Sequence, residues 1–368
     1  MYLNKKGKVP NQAHVGIPEG ICEEEHGRAG FAGPASHLYR SHPPTGWLKV
    51  DGPLKPRAFA CNRLCTADRP AATQPALIMQ SQDVSLYASA RTETMTHFVR
   101  NADGDEVHFT HQGMGRFETD YGTLSYEPGD YIVIPKGTTY RIHVDAGPSF
   151  FLIVETPESI TVPDRGPLGH HALFDLGVLV APELGAAEPS DAEGQEWEVR
   201  IKRQGNSTLV VYPFYPMDVV GWKGDLWAAK LNVRDFRPVT SPRYHLPPSV
   251  HGTFRAGGCL ISTFAPRPLE SDPEALRVPF YHRNTDYDEV LFYHQGDFFS
   301  RAGIQPGMLT LHPQGIHHGP QPQAVQASKG KTQTNEVAVM IESKAPFTVR
   351  AEMESVEVKD YALSWSRR

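Results

Sequence analysis

The chain has 368 residues, of which 39% are hydrophobic and 21% are charged, and its formal net charge is -6. This length exceeds what one hydrophobic core usually organises, so two domains are expected. The slightly acidic balance gives no reason to expect nucleic acid as a partner, whereas a small neutral or acidic ligand remains open.

The N-terminal segment MYLNKKGKVPNQAHVG carries positive charges but no apolar run behind them. The chain also lacks any stretch of about 18 consecutive apolar residues. Neither a signal peptide nor a transmembrane helix is therefore predicted, and we expect a cytoplasmic protein without a membrane partner. Four scattered cysteines are too few for a disulfide framework, so we expect reduced thiols.

Short runs rich in Val, Ile, Phe, Tyr and Thr alternate with glycine and proline, each of which occurs 32 times. This rhythm is typical of short strands and tight turns, and it predicts an all-β protein with few helices. The best helical candidate spans residues 169–184.

An internal repeat organises the chain. Its first copy reads VRNADGDEVHFTHQG over 99–113 and EPGDYIVIPKGTTY over 127–140. Its second copy reads HRNTDYDEVLFYHQG over 282–296 and QPGMLTLHPQGIHH over 305–318. Because the spacings within these blocks coincide, the repeat predicts two homologous β domains.

The repeat suggests a division of the chain into three parts. We expect an N-terminal arm and a metal-free barrel over 1–155, a connector over 156–205 and a catalytic barrel over 206–368. The connector is predicted from its Pro, Gly, Ala and acidic residues. Both copies resemble the paired motifs of the cupin superfamily, and this resemblance implies two cupin barrels of the double-stranded β-helix, jelly-roll type.

The second copy contains the cupin ligand pattern. His282, Glu289 and His318 fall at motif positions. Two histidines and one carboxylate on one face of a metal leave coordination positions open for substrate and oxygen, which suits Fe(II). Cupins commonly have a further histidine at the position of Asn284, and its absence favours the three-ligand form.

The first copy keeps Glu106 at the position of Glu289. Val99 and Tyr140, however, replace the two histidines. A lone carboxylate does not hold iron, so we predict a metal-free, structural first barrel.

Alternatives to these ligands remain within the second copy. His317 competes with His318 if the turn shifts by one residue, and Asp288 competes with Glu289. The spacing gives no such support to His312. His294 has a counterpart, His111, in the first copy, which favours a structural role for both.

The chain further resembles the homogentisate 1,2-dioxygenase family, particularly its shorter bacterial members. The resemblance rests on YHRN at 281–284, HHGP at 317–320, SHLYRSHPPTGW at 36–47 and the bicupin layout. The family's iron ligands map onto the three residues of the second copy, with His318 also contacting substrate. Its active-site base maps onto His245 through YHLPPSV, with His251 as the nearest rival.

The resemblance implies an Fe(II)-dependent enzyme that converts homogentisate and O2 to maleylacetoacetate, a step of tyrosine and phenylalanine catabolism. It also implies a homo-oligomer, a trimer or hexamer, to which the aromatic arm over 31–47 is a candidate contributor. A substrate-contacting tyrosine of the longer members falls at Phe298. Arg283 and Arg301 are weak candidates for the substrate carboxylate.

Three other functions fit parts of the pattern. A related cupin dioxygenase would act on gentisate or hydroxyanthranilate. A non-enzymatic, pirin-like bicupin would bind metal to modulate a partner, and it would hold iron without consuming oxygen. A sugar-processing or seed-storage bicupin is disfavoured by Asn284.

Overall fold

The computed structural model describes residues 4–64, 74–185, 194–277, 280–298, 300–328 and 330–366. Strands dominate, as the alternation of apolar runs with glycine and proline requires. The strands of the arm and the first half are β1 Cys22–Gly27, β2 Ala35–Arg40, β3 Arg57–Phe59, β4 Ala76–Gln80, β5 Ser85–Arg91, β6 Phe98–Asn101, β7 Asp105–Thr119, β8 Gly122–Tyr126, β9 Asp130–Ile134 and β10 Thr139–Thr156. The remaining strands are β11 Trp197–Arg203, β12 Asn206–Tyr212, β13 Ala229–Asn232, β14 Gly252–Ala256, β15 Cys259–Phe264, β16 Tyr281–Asn284, β17 Asp288–Gln295, β18 Leu309–His312, β19 Val337–Ser343 and β20 Thr348–Val349.

Helices are short. The α-helix α1 spans Pro322–Ser328. Short 3-10 helices span Gly30–Ala32, Cys61–Arg63, Gly166–Leu168, Leu176–Val178, Val233–Asp235, Pro248–His251, Ala351–Val356 and Tyr361–Trp365. Among the described residues, no helix is long and apolar enough to cross a membrane. The prediction of an all-β protein built from two cupin barrels with few helices is confirmed.

Both units are built around one central strand with two equivalent neighbours. In the first unit β7 pairs with β9 and β10, and in the second β17 pairs with β18 and β19. Glu106 on β7 lies opposite Glu155, and Glu289 on β17 lies opposite Glu342. The repeat read from the sequence is therefore a repeat of strand register.

The N-terminal arm packs on the second unit of its own chain. β1 pairs in parallel with β16, and β3 pairs with β18. The indole of Trp47 donates to the carbonyl of Ala362 at 2.8 Å. Strands from the start of the chain therefore extend the sheets around the second copy of the repeat.

The predicted helix over 169–184 is wrong. The segment contains only the 3-10 turn Leu176–Val178, and Gly169 has a positive φ of 80° that ends a preceding turn. Glycines cost helical stability, which is why this apolar stretch does not continue as a helix. Farther along the chain, β11 pairs with β6, and β12 pairs with β11, so both strands extend the first sheet. The domain boundaries near 155 and 205 remain predictions.

Two buried cysteines agree with the expectation of reduced thiols. Cys61 and Cys259 are free. Burial raises the pKa of the Cys61 thiol to about 12, so this thiol stays protonated and unreactive. Cys65 lies outside the described residues.

Candidate metal centre

The structure brings His282, Glu289 and His318 together. His282 lies on β16, Glu289 opens β17, and His318 follows β18 after a turn. The backbones of His282 and His318 exchange two hydrogen bonds, of 2.9 and 3.0 Å, which fix the histidines side by side. The Nε2 atoms of His282 and His318 lie 3.3 and 2.9 Å from the two carboxylate oxygens of Glu289.

All three side chains are buried. Burial alone would raise the pKa of Glu289, but the neighbouring His318 and His282 lower it well below its usual range. Burial, assisted by His282, lowers the pKa of His318 to about 4. For His282, burial lowers the pKa, but the hydrogen bond and charge of Glu289 outweigh it and the net shift is upward. The carboxylate is thus ionised, and His318 is neutral near pH 7.

This donor set fits a divalent transition metal. The Nδ1 atom of His282 lies 3.1 Å from the carbonyl oxygen of Phe280 and can only donate to it. That bond leaves the lone pair on Nε2, directed at the cluster, as in metal-binding histidines that donate their other ring N–H to a backbone carbonyl. The candidate ligand atoms all lie within 4.8 Å of one another. Two imidazoles and one carboxylate are the ligands that non-haem Fe(II) takes.

Three further side chains that sequence reasoning missed surround this cluster. His312 stacks on His318 with ring centroids 4.6 Å apart, and Phe31 lies edge-on to His282 at 5.0 Å. Glu342 faces Glu289 across the sheet, and burial together with the charge of Glu289 raises its pKa to about 8. Glu342 is therefore protonated at neutral pH, and it adds no second negative charge to the cluster.

The first barrel differs at the equivalent position. The hydroxyl of Tyr140 donates to Glu106 at 2.9 Å, where His318 meets Glu289 in the second barrel. Among the described residues, none of the candidate metal-binding groups includes Glu106. The metal-free first barrel stays a prediction.

The two alternative ligands have other partners. Both oxygens of Asp288 accept backbone amides, from Gln314 at 2.8 Å and Phe347 at 2.7 Å. Asp105, the equivalent residue of the first barrel, likewise accepts two backbone amides. His317 contacts Glu24 on β1 at 2.9 Å. The geometry therefore favours His282, Glu289 and His318 as the ligand set over these two alternatives.

His245 lies in the same cavity as His282 and Glu289, which has a volume of about 100 Å³. Its Nδ1 atom lies 2.8 Å from a carboxylate oxygen of Glu270, a residue that no sequence motif indicates. The rival His251 also lines this cavity, and burial, reinforced by Arg267 and His245, lowers its pKa well below its usual range. Both histidines are thus placed to contact a bound ligand.

The remaining sequence candidates divide between the cavity and its surroundings. Arg301 lines the cavity and donates to the carbonyl of Gly319 at 2.7 Å. Arg283 instead approaches Glu24, with Nε 3.4 Å from the carboxylate. Phe298 is buried against Tyr293, at a centroid distance of 4.7 Å.

A second group of potential ligands lies in the arm: His14, Glu23 and His37. Glu23 accepts from the backbone amide of His14 at 3.0 Å and from the hydroxyl of Tyr39 at 2.9 Å. Because donors already occupy both oxygens of this carboxylate, we interpret the group as a hydrogen-bond network. The ring of His14 stacks on Phe280 at 4.2 Å, so the network supports a wall of the cavity.

Comparisons with known proteins give similar sequences and structures. The family model for the N-terminal part of homogentisate 1,2-dioxygenase matches residues 70–233, and the model for the C-terminal part matches residues 249–367. A solved structure of a cupin 2 conserved barrel protein from Leptotrichia buccalis is 11% identical, with a TM-score of 0.35 over 78% of this chain and 96% of that one.

Several curated proteins are similar to the chain. A protein of Saccharolobus solfataricus named "Putative dioxygenase" is 32% identical over 99% of both chains. Homogentisate 1,2-dioxygenase of Rhodopseudomonas palustris is 30% identical over 72% of this chain, and that of Bradyrhizobium diazoefficiens is 29% identical over 76%. The chain spans 62% and 65% of the lengths of these two enzymes. Matched by both family models, the chain belongs to the homogentisate 1,2-dioxygenase family, a family of dioxygenase enzymes.

Proposed function

We propose that this protein cleaves the ring of homogentisate with O2 at a ferrous ion held by His282, Glu289 and His318, giving maleylacetoacetate. The observation that carries the proposal is the convergence of these three buried side chains, two of which, His282 and Glu289, line one cavity with His245. Family membership supports the reaction class.

The cluster suits Fe(II) because one carboxylate and two imidazoles leave positions on the metal unfilled. When bound, the ferrous ion supplies open coordination positions and the one-electron chemistry that lets dioxygen react with an aromatic diol. The protein's own contribution is a buried site that keeps the Glu289 carboxylate ionised and orients both imidazoles.

His245 is the proposed base. If its Nδ1–H donates to Glu270, the other ring nitrogen keeps its lone pair and can accept a proton from a substrate hydroxyl. Glu270 then stabilises the imidazolium that forms, as a carboxylate does behind a catalytic histidine. Glu270 is a positioning residue in this scheme.

Homogentisate is the proposed substrate because it is the substrate named for the two curated relatives. Its acetate group needs a cation or a backbone amide. Two arginines line the cavity, Arg267 and Arg301. Arg267 lies 3.7 Å from Glu336, so much of its charge is balanced, and Arg301 is the better carboxylate partner.

The test is anaerobic reconstitution of the purified chain with Fe(II), followed by homogentisate and air. We expect oxygen uptake in a one-to-one ratio with substrate and the absorbance of a conjugated, ring-opened product. Gentisate and 3-hydroxyanthranilate are tested in parallel, because turnover of only one of these would replace the substrate and leave the site unchanged. Iron binding without oxygen uptake on any substrate would overturn the enzymatic proposal in favour of a pirin-like role.

We also propose a cytoplasmic location and a homo-oligomer, a trimer or hexamer. The oligomer rests on the family resemblance alone. Sedimentation of the full chain tests it.

A further inference from the structure

The first barrel contains a cavity of its own, with a volume of about 280 Å³. It opens beside Val99, Glu106 and Tyr140, the residues equivalent to the metal cluster of the second barrel. Small-molecule pockets typically begin at roughly 300 Å³, so the space suits a small ligand. The proposed dioxygenase reaction does not use it.

The acidic groups of this cavity already have partners. Glu106 accepts from Tyr140 at 2.9 Å. Glu155 accepts from Asn101 and forms an ion pair with Lys202. The charge of each carboxylate is therefore solvated within the protein, and neither needs a ligand.

Arg91 differs from these groups. It comes from the end of β5, lines the cavity and is only 3% exposed. Its Nε and Nη1 atoms have no hydrogen-bond partner among the residues that the structure describes, and no ion pair involves it there. Burying a cation without a counter-charge is unfavourable, so the cavity favours an anion.

Neighbouring groups reinforce this preference. His97 lies in the same cavity, and burial, with Arg200 and Arg91 nearby, lowers its pKa to about 4. Glu198, which pairs with Arg200, acts in the opposite direction. The neutral ring of His97 can still exchange a hydrogen bond with a ligand.

One part of the lining is apolar. Val99, Ile142 and Ile153 lie on the wall of the cavity. We propose that the first barrel binds a small organic carboxylate, with the carboxylate on Arg91 and an apolar body against these three residues. Arginine is suited to this task because its planar guanidinium can donate two parallel hydrogen bonds to a carboxylate.

The first experiment is calorimetric titration of the full-length, iron-free protein with phenylacetate as the probe and phenylacetamide as its uncharged isostere. We expect phenylacetate to bind and phenylacetamide to bind at least about 10-fold more weakly. Arg91→Met should weaken phenylacetate binding by about 10-fold to 100-fold, the effect of losing a hydrogen bond to a charged group. Arg116→Gln, which alters an exposed arginine of the same barrel paired with Asp145, should leave binding unchanged.

The Arg301→Met protein locates the bound probe, because Arg301 is the carboxylate partner proposed for the second barrel. Unchanged binding supports the first barrel, whereas loss of binding in this variant with full binding by Arg91→Met would place the probe in the second barrel and overturn the proposal. Equal binding of the amide, or no binding at all, would also overturn it.

A second measurement needs no substitution and guards against misfolding of the Arg91 variant. Crystals of the unaltered protein soaked in 4-bromophenylacetate should show an anomalous bromine peak within the first barrel. A peak found only in the second barrel or on the surface contradicts the proposal.

Discussion

His111 and His294 occupy the same position in the two copies of the repeat, and their Nδ1 atoms meet at 3.0 Å in the interior. The two central strands therefore approach each other through equivalent residues, as two halves related by a pseudo-twofold axis would. Burial lowers the pKa of His111 to about 4, and burial together with His111 lowers that of His294 to about 3. Both rings are neutral near pH 7, so one donates to the other.

This pair makes stability depend on pH. In the unfolded chain each histidine has a pKa near 6.5. Between this pH and the lower pKa values of the folded state, the unfolded chain therefore binds protons that the folded chain does not. The neutral pair contributes fully to the free energy of unfolding above about pH 6.5, and this contribution is lost progressively as the pH falls. Urea unfolding between pH 7 and 5 should show this loss, and the double variant His111→Leu/His294→Leu should show a smaller one. An unchanged slope in the double variant would contradict the assignment.

Replacing one member of the pair tests the contact itself. His294→Leu leaves His111 buried without its partner and should lower the free energy of unfolding by about 1 to 3 kcal/mol. In a double-mutant cycle with His111→Leu, the two effects should not add. Additive effects would show that the contact contributes nothing beyond burial.

Iron binding should depend on the second copy alone. We expect loss of stoichiometric Fe(II) and a fall in turnover of more than about 100-fold in each of the variants His282→Ala, Glu289→Ala and His318→Ala. Changing only a residue that hydrogen-bonds to a metal ligand already costs about 10-fold to 100-fold. The matched control is Tyr140→Phe, at the position of His318 in the first barrel, which should retain iron. Metal analysis after gel filtration measures both, and iron retained by Glu289→Ala would contradict the proposed ligand set.

Replacing the proposed base, His245, should lower turnover without changing the iron content. His245→Ala should slow turnover by about 10² to 10⁴ while iron remains bound. His251→Ala, in the same cavity, is the matched comparison and should have the smaller effect. The reverse ranking in oxygen-uptake assays would transfer the role to His251.

Glu270 should act through His245. Glu270→Gln keeps the shape of the side chain but removes the charge beside Nδ1, and it should lower kcat by about 10-fold to 100-fold with KM little changed. Because the charge no longer favours the imidazolium, the acidic limb of the kcat profile, where the base must be unprotonated, should move to lower pH. A lower kcat with an unshifted profile would indicate a merely structural role.

The stability of the N-terminal arm should also depend on pH, through Glu23 and His37. Burial raises the pKa of Glu23, but hydrogen bonds from His14 and His37 lower it overall, whereas Glu23 overcomes burial to raise the pKa of His37. Glu23 therefore stabilises the arm above its unfolded pKa and loses this effect as the pH falls. His37 contributes below about pH 6.5 and loses its contribution as the pH rises through its raised value.

Hydrogen exchange in β1 and β2 should thus be slowest between about pH 4.5 and 6.5, after correction for the intrinsic rate. Glu23→Gln should remove this window. Glu19→Gln, at an exposed position of the same arm, should preserve it. A window that survives Glu23→Gln would assign the stabilisation to other contacts.

The internal repeat made two features predictable from the sequence, the strand register and the metal-binding copy. Paired blocks with matching spacings predicted the strand register, and the replacement of histidines by Val99 and Tyr140 pointed to the second copy as the metal-binding one. The same comparison carried an unused signal, since His312 stands where the first copy has the buried Ile134. A polar residue at a buried apolar position indicates a special role.

The rest of the site could not be read from spacing. Phe31 and Glu270 come from segments outside the repeat, and only the tertiary fold brings them to the cavity. The helix predicted over 169–184 failed for a related reason. Its apolar residues pack against other parts of the chain as an irregular segment, so local composition did not decide the backbone conformation.

The pairing of β1 with β16 and of β3 with β18 has a consequence for biogenesis. β1 and β3 are synthesised well before β16 and β18, so at ordinary elongation rates they wait roughly 10 to 50 s for these partners. During that time their edges are open to pairing with other chains, and chaperones are the natural protection. Vectorial folding can complete the first barrel, but the second closes only when translation is nearly finished.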